Sequence, residues 1–406
     1  LCSQILIRTN CPPSRFRVDF DSASMTLRSL RLRNMRAHSN STIDLSSGVN
    51  LLYGCNGAGK TNILEAIHYL CLTKSFLTGV ERYVIQRGQD YFEVEGQFEG
   101  TVRKKVTIRT AVSLREGKRI FLNGVAPERK ADIVGIVPIV VFVPGDQSLT
   151  YGGPDDRRKF LNGILSQASP NHLRDLIRYR RALKQRNEVL SHRHQVPIDP
   201  SLIAPLNAIL AQLGSRIIVQ RSGFIAEFND KLKQAWKQLG QAIEEPSIVY
   251  QGPIHAEDYS SADDAESVLL SALVESTPRD IDKGRTNTGP HRDELVFKLD
   301  DQEVRRFGST GQHRSFAIAL RIAQFNYLDD RLEEKPILLL DDVFDSLDPT
   351  RTEVILEWLR GDSTGQSLLT AADSEKLRSR IKNWGHPHQS IHVQSGQVME
   401  HPPEEE

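Results

Sequence analysis

Residues 51–61 read Leu51-Leu52-Tyr53-Gly54-Cys55-Asn56-Gly57-Ala58-Gly59-Lys60-Thr61, an apolar run that breaks at a glycine-rich turn and resumes as a helical pattern. Val49, Leu51 and Leu52 before the turn suit a buried strand. Ile63, Leu64, Ala66, Ile67 and Leu70 after it suit a helix from Thr61 to Leu72 with one apolar face. The spacing Gly-x-x-x-x-Gly-Lys-Thr in that context is a phosphate loop, not a plain glycine turn. From Gly54 through Cys55, Asn56, Gly57, Ala58 and Gly59 to Thr61, the backbone N–H groups can wrap a β-phosphate, and the small residues let the main chain approach it. Lys60 reaches the β/γ oxygens of a nucleoside triphosphate and Thr61 offers its hydroxyl to Mg²⁺. The helix turns its positive end toward the anion.

With 406 residues, 39% hydrophobic and 26% charged, the chain can build two cores or one core with a large insertion. It holds no run of about 18 apolar residues, so we expect no membrane span. Residues 1–24 lack the apolar centre of a secretory signal; we expect them to be disordered, an over-extended start ahead of Met25. Cys2, Cys11, Cys55 and Cys71 fit no metal spacing, which points to a reduced, cytoplasmic setting. Formal net charge is zero, so only its distribution can speak for nucleic acid. Two stretches are basic: Arg103, Lys104, Lys105, Arg109, Arg115, Lys118 and Arg119 in a β-like region, and Arg174, Arg178, Arg180, Arg181, Lys184 and Arg186 on a helix. The second is equally well read as a solvated helix face. The tail Pro402–Glu406 is acidic.

The fold expected is α/β: a nucleotide-binding head with a mixed sheet around the phosphate-loop helix and an inserted helical lid or arm. Residues 25–154 form the first lobe, with strands near Leu27–Met35, Phe92–Phe98, Val102–Thr110, Arg119–Leu122 and Ile136–Val143, and an Asn123-Gly124 hairpin turn. Residues 155–285 turn helical: Leu173, Leu176, Leu183 and Leu190 share one spacing, and Leu206, Leu210, Leu213, Ile217, Phe224, Phe228 and Leu232 another. The proline-bearing segment His192–Pro205 is expected to link them. An antiparallel arm and an ordinary helical core fit this periodicity equally. Residues 286–406 complete the head, with strands at Leu295–Leu299, Pro336–Leu340 and Ser367–Leu369 and a hairpin around Ser395-Gly396.

The buried strand Ile337-Leu338-Leu339-Leu340 delivers Asp341 and Asp342 at its carboxyl end, where we expect it to neighbour the phosphate-loop strand. Asp341 can hold the Mg²⁺ shell, and Asp342 can orient or deprotonate the attacking water. Two carboxylates beside a polyphosphate need the metal and Lys60 to offset them. Upstream, Phe307-Gly308-Ser309-Thr310-Gly311-Gln312 runs into a strong helix. Ser309, Gly311 and Gln312 offer a hydroxyl, backbone donors and a helix end to a γ-phosphate. The same residues also make an N-cap.

The order of Gly-x-x-x-x-Gly-Lys-Thr, helical insertion, Ser-x-Gly-Gln, Leu-Leu-Leu-Asp-Asp and Ser346-Leu347-Asp348 resembles the ABC-type ATPases of the SMC class, and among them the bacterial recombination mediators. Gly153-Pro-Asp-Asp-Arg-Arg-Lys-Phe-Leu161 and Thr288-Gly-Pro-His-Arg-Asp-Glu-Leu295 carry the closer likeness, since neither is a general ATPase motif. Asn162, Met35-Arg36-Ala37 and Gly145 depart from the family pattern; Arg36 still matches and is expected at a phosphate or a partner head, while the Pro144–Gln147 turn loses its Glu. Thr370 stands where transporter ATPases carry a switch histidine.

The resemblance implies slow, switch-like ATP hydrolysis, an ATP-dependent homodimer with Asp348 at its seam, and binding of single-stranded, duplex or gapped DNA without sequence preference. It also implies partnership with a RecR-type ring protein, RecA-type recombinase loading and SOS induction. The alternatives are a transporter nucleotide-binding subunit or another SMC-like ATPase. The Ser309–Gln312 turn lacks the first Gly of a transporter turn, and a kinase reading explains neither that turn nor the acid pair.

Overall fold

The sequence places an apolar run before the glycine turn and another before the acid pair, and the computed structural model collects both into one sheet. It describes residues 24–192, 199–240, 243–255, 258–344, 347–361, 364–372, 375–382, 384 and 387–399. The expectations for residues 1–23, for the middle of the 192–205 segment, for Asp345 and Ser346 and for the acidic tail lie outside these.

The central sheet has the order β14 (Gln397–Met399), β13 (His388–Gln394), β3 (Val49–Tyr53), β12 (Ser367–Ala371), β11 (Ile337–Leu340) and β7 (Ile139–Phe142). All neighbours are parallel except β13 and β14, which form a hairpin. Both faces are covered, which is why β11 and β7 read as unbroken apolar segments. Leu51, Leu338, Leu340 and Leu369 point into one cluster, and Leu52, Ile337, Leu339 and Leu368 into the other, as the two-residue period of a strand requires.

On the second of those faces lie α1 (Lys60–Leu72) and an antiparallel sheet of β2 (His38–Asp44), β1 (Thr26–Met35), β4 (Tyr91–Glu99), β5 (Val106–Ser113) and β6 (Gly117–Leu122). Asn123 and Gly124 both take positive φ, 49° and 82°, so the Asn-Gly turn forms as expected. The other face carries α3 (Pro154–Ala168), α8 (Thr310–Arg331), α9 (Pro349–Arg360) and a small sheet of β8 (Pro246–Gln251), β9 (Glu294–Leu299) and β10 (Gln302–Glu303). Short α2 (Ser148–Tyr151), α7 (Val304–Phe307) and α10 (Glu375–Lys382) complete the head.

One helix joins head to lid. α5 (Pro200–Gln238) is 39 residues long, or about 58 Å at 1.5 Å per residue. Phe224, Phe228, Leu232 and Trp236 near its end pack in the head cluster, whereas Leu210, Leu213 and Ile217 pack against α4 (Pro170–Ser191) and α6 (Ala262–Lys283) in a separate lid cluster. By length and composition α5 could cross a bilayer, but half of its most apolar stretch is buried in these two cores. Pro205 lies inside α5, not in a linker. The Asp199 side chain caps the start of the helix by accepting from the Ser201 N–H at 2.8 Å, and the proline removes one bond in the second turn. Within the span 155–285, α3, the end of α5 and β8 therefore pack with the head, and α4, the start of α5 and α6 form the lid.

The two blocks Gly153–Leu161 and Thr288–Leu295 interlock at the junction. Arg157 pairs with Glu294 at 2.8 Å, and the Arg158 guanidinium donates to the Asp293 carbonyl at 2.5 Å. Arg221 of α5 pairs with Asp293 at 2.5 Å and donates to the Pro290 carbonyl and to Asn162 Oδ1 at 3.0 Å. Burial raises the Asp293 carboxyl above its ordinary range against the pull of Arg221. An uncharged acceptor at Asn162 suffices because Asp293 already supplies the countercharge.

Arg186, grouped by sequence with the exposed lid cations, is wholly buried. It pairs with Asp280 at 2.8 Å and donates to Asn207 and Thr286, tying α4, α5 and α6 together. It is a structural ion pair and cannot reach DNA. Many of the 103–119 cations are likewise engaged: Arg103 donates to the Ile136 carbonyl, Lys118 pairs with Glu81, Arg119 pairs with Glu116, and Arg109 lies 4.5 Å over the Phe121 ring.

Candidate nucleotide site

The strands β3, β12 and β11 run parallel, so the glycine turn, Thr370 and the acid pair emerge side by side at one end of the sheet. Against the expectation from sequence, the acid-bearing strand does not neighbour the phosphate-loop strand; β12 lies between them. That insertion widens the gap between loop and acids, and the side chains of Thr61 and Thr370 span it.

The loop is shaped by its glycines. Gly54 has φ 146°, and a Cβ there would sit 2.1 Å from the Val393 carbonyl oxygen on β13. Gly57 and Gly59 take φ 80° and 110°, conformations that L-residues with side chains rarely adopt. Cys55, Asn56 and Gly57 form the exposed tip, while Ala58, Gly59 and Lys60 are buried. The Lys60 ammonium donates to the Gly54 and Cys55 carbonyls at 2.8 and 3.1 Å, so the buried charge is held by backbone oxygens of its own loop. No side chain caps α1 and no acid lies in its first turn. Its N–H groups and positive end face the loop's concavity.

Two contacts brace the loop from behind, and neither was foreseen. His38 Nε2 lies 3.0 Å from the Gly59 carbonyl oxygen and its Nδ1 3.0 Å from Ser41 Oγ, and the Gly396 N–H donates to the Ala58 carbonyl at 2.8 Å. Burial holds the His38 pKa below its ordinary value, so the ring is neutral at pH 7.

Across the gap, the Thr61 hydroxyl donates to Asp341 Oδ1 at 2.7 Å. Thr370 Oγ1 accepts from the Asp342 N–H at 2.7 Å and lies 3.0 Å from Asp341 Oδ1 and 2.9 Å from Asp342 Oδ1. One hydroxyl thus ties both acids. Burial, and then the neighbouring Asp342 charge, raise the Asp341 pKa against the Thr61 bond. Asp342 has φ 45°, an uncommon and costly conformation for a residue with a side chain. The donor set fits a triphosphate with Mg²⁺: a glycine cradle, a cation, a helix end, and a hydroxyl–carboxylate pair of the kind that shares a hard cation with phosphate oxygens.

Ser309 and Gln312 form a reciprocal capping box on α8: the Gln312 N–H donates to Ser309 Oγ at 3.2 Å and the Ser309 N–H to Gln312 Oε1 at 2.6 Å. The Gln312 amide also donates to Glu244 at 2.7 Å. The N-cap reading therefore holds within the chain. Ser309 and Thr310 are nevertheless exposed, with Gly311 and Gln312 half-buried. Arg351 braces the turn from α9, bonding Ser315 Oγ at 3.0 Å and Asp348.

Arg36 sits at φ 53° and is gripped by both carboxylate oxygens of Glu65 on α1, at 2.8 and 2.9 Å. It braces the phosphate-loop helix; a direct phosphate contact requires this pair to open. In the Pro144–Gln147 turn, Asp146 is held by Arg321 of α8.

Fold and site together define an ABC-type ATPase head of the SMC class. A profile of the RecF/RecN/SMC N-terminal domain matches residues 26–392. The "DNA replication and repair protein RecF" of Salinibacter ruber is 46% identical over 92% of this chain and 91% of its own length, and that of Chloroherpeton thalassium 36% over 86% and 95%. A solved recombination mediator protein RecF with ATPrS, in the RecFOR pathway, superposes with TM-score 0.85 at 27% identity, over 93% of this chain and 99% of that one. An Smc head from Pyrococcus furiosus shares the fold, with TM-score 0.53 at 14% identity over 92% and 95%. The chain belongs to the RecF family of DNA replication and repair proteins.

Proposed function

We propose that the chain is a cytoplasmic, ATP-dependent DNA-binding recombination mediator that acts as a dimer of heads. Each ATP is held between the phosphate loop of one copy and the Ser309–Gln312 turn of the other. The observation that carries this reading is that the loop tip, Cys55–Gly57, and the start of the signature turn, Ser309 and Thr310, are both exposed. A triphosphate resting on Lys60 and the α1 terminus keeps its γ-oxygens open to a second set of donors, which Ser309 and the Gly311 N–H of another copy supply. Mg²⁺ held by Thr61 and Asp341 would neutralise charge on the β- and γ-oxygens. Lys60 reaches the same oxygens, and Asp342 orients the attacking water and accepts its proton. Consumption of the γ-phosphate removes the shared ligand and weakens the joint, so turnover is slow and resets the clamp.

For DNA, the supporting feature is a cleft of about 1040 Å³ between the 129–131 turn and the lid helices, lined by Arg129, Lys130, Arg174, Arg178, Arg181 and Arg216. None of the six is in an ion pair among the described residues. Such a surface neutralises backbone phosphates without reading bases. Solved RecF relatives are bound to ATP or ATPrS and belong to the RecFOR pathway; by extension we assign a RecR-type partner, RecA-type recombinase loading and a part in SOS induction.

Sedimentation with Mg·ATP tests the reading: the Asp342→Asn variant binds ATP, dimerises and retains gapped DNA longer than the parent, whereas Lys60→Met stays monomeric. Dimerisation indifferent to ATP in both variants removes the clamp.

A further inference from the structure

Beyond the nucleotide and DNA sites, the lid–head junction encloses a second cavity, of about 240 Å³. Its walls come from α3, α4, α5 and the Pro290–His291 loop, so a ligand in it touches both lid and head. Arg158, Lys159, Arg180 and Arg221 line it against the single carboxylate of Asp155. Asp155 is committed to Arg158, Asp156 to Lys159 and Asp293 to Arg221. Arg180 has no ion-pair partner among the described residues. Arg221 is 1% exposed, and its Nε–H has no acceptor among the described residues. His291 cannot supply positive charge at neutral pH, since burial holds it at about 4. One cation, Arg180, thus stands without an acid beside a buried guanidinium with an unsatisfied N–H, an arrangement that an anion would complete.

Arg180 follows Arg178 and precedes Arg181 on α4, yet those two line the DNA cleft and Arg180 lines this cavity. Successive helical residues point about 100° apart, which lets one helix serve both sites. We propose that this cavity is a phosphate-binding site in which a phosphate dianion, free or terminal on a larger ligand, is held by Arg180 with Arg158, Lys159 and Arg221 and bridges lid to head. Guanidinium groups suit the oxygens of the dianion. Lid closure over the head would then depend on phosphate independently of ATP.

The test uses the full chain with Lys60→Met, so that the phosphate loop does not compete, and follows inorganic phosphate by ³¹P line broadening at constant ionic strength. Saturable broadening is expected, with affinity falling about tenfold or more in Lys60→Met/Arg180→Gln. Arg180→Lys should recover part of it, and Arg178→Gln, altered only in the DNA cleft, should leave it unchanged. Displacement of the phosphate by a 5′-phosphorylated oligonucleotide, but not by its 5′-hydroxyl counterpart, would identify a nucleic-acid terminus as the source; displacement by neither identifies free phosphate. Equal phosphate affinity with and without Arg180→Gln, or loss of binding in Arg178→Gln alone, overturns the proposal. Failure of the ATP clamp leaves this result untouched, because no step depends on Lys60.

Discussion

Replacing Thr370 by Val removes one hydroxyl, keeps the side-chain volume, and should uncouple the acid pair. In the structure that oxygen is fully buried, accepts from the Asp342 N–H at 2.7 Å and lies within 3.0 Å of both carboxylates. Its proton can serve only one carboxylate at a time, so the variant loses one charge-assisted bond and leaves one N–H without its acceptor. Each loss is worth about 1–3 kcal/mol, and because they share an atom the sum is about 2–4 kcal/mol of stability. Asp342 is also held at φ 45°, a conformation that itself costs about 1–3 kcal/mol. Freed from Thr370, its backbone can relax and carry the carboxylate away from the attacking water. A shift worth about 1.4–2.7 kcal/mol at the transition state slows hydrolysis about 10- to 100-fold. ATP binding, which rests on Lys60 and the loop, should change less than about threefold, roughly 0.6 kcal/mol. Urea unfolding, nucleotide binding and single-turnover hydrolysis, each run beside Thr370→Ser, separate these effects. Serine keeps the hydroxyl and loses only a methyl group, at about 1 kcal/mol. If valine and serine variants hydrolyse ATP at the same rate, Thr370 does not position the acids.

Other consequences are as direct. Gly54→Ala places a methyl 2.1 Å from the Val393 carbonyl oxygen at φ 146°, so ATP binding should be abolished and the melting temperature should drop; unchanged binding would show that the loop is not wedged against β13. Arg178→Glu/Arg181→Glu should weaken gapped-duplex binding and lower the salt slope by about 2, with ATP binding intact; a parental slope would move DNA elsewhere on the surface. Burial lowers the His68, His172 and His291 pKa values to about 4. These rings take up protons more readily in the unfolded chain, at about 6.5. Their contribution is complete above pH 6.5 and is lost as pH falls toward 4, by up to about 3 kcal/mol per ring. His172→Gln should flatten the acid limb of a stability–pH profile, and an unchanged limb would contradict the assignment.

The local motifs were legible because each is complete within a few residues. Gly54–Thr61 and Leu338–Asp342 need only a strand, a turn and a register, which apolar runs and glycines announce. The Asn123-Gly124 turn was equally plain. What stayed hidden depends on partners far along the chain. Nothing local in Ser367–Ala371 says that this strand inserts between loop and acids, so the tie from Thr370 to Asp341 and Asp342 became visible only with the sheet order. His38 braces Gly59 because β2 folds back beside α1. Arg186 looked like its exposed neighbours on α4, since helical spacing cannot tell a solvated face from one that meets an Asp280 a whole helix away. The Gly153–Leu161 and Thr288–Leu295 blocks were conspicuous as patterns, and their role as two halves of one lid–head lock emerged from Arg157, Arg221 and Asp293.

The sharing of one nucleotide between two copies is best tested by mixing two broken proteins. Lys60→Met has a defective loop and an intact signature turn; Ser309→Arg has the reverse. Each alone should sediment as a monomer with Mg·ATP, and an equimolar mixture should form heterodimers with one intact composite site and up to half the parental hydrolysis. A mixture that stays monomeric and inactive, or a Ser309→Arg protein that dimerises and hydrolyses normally by itself, contradicts the account.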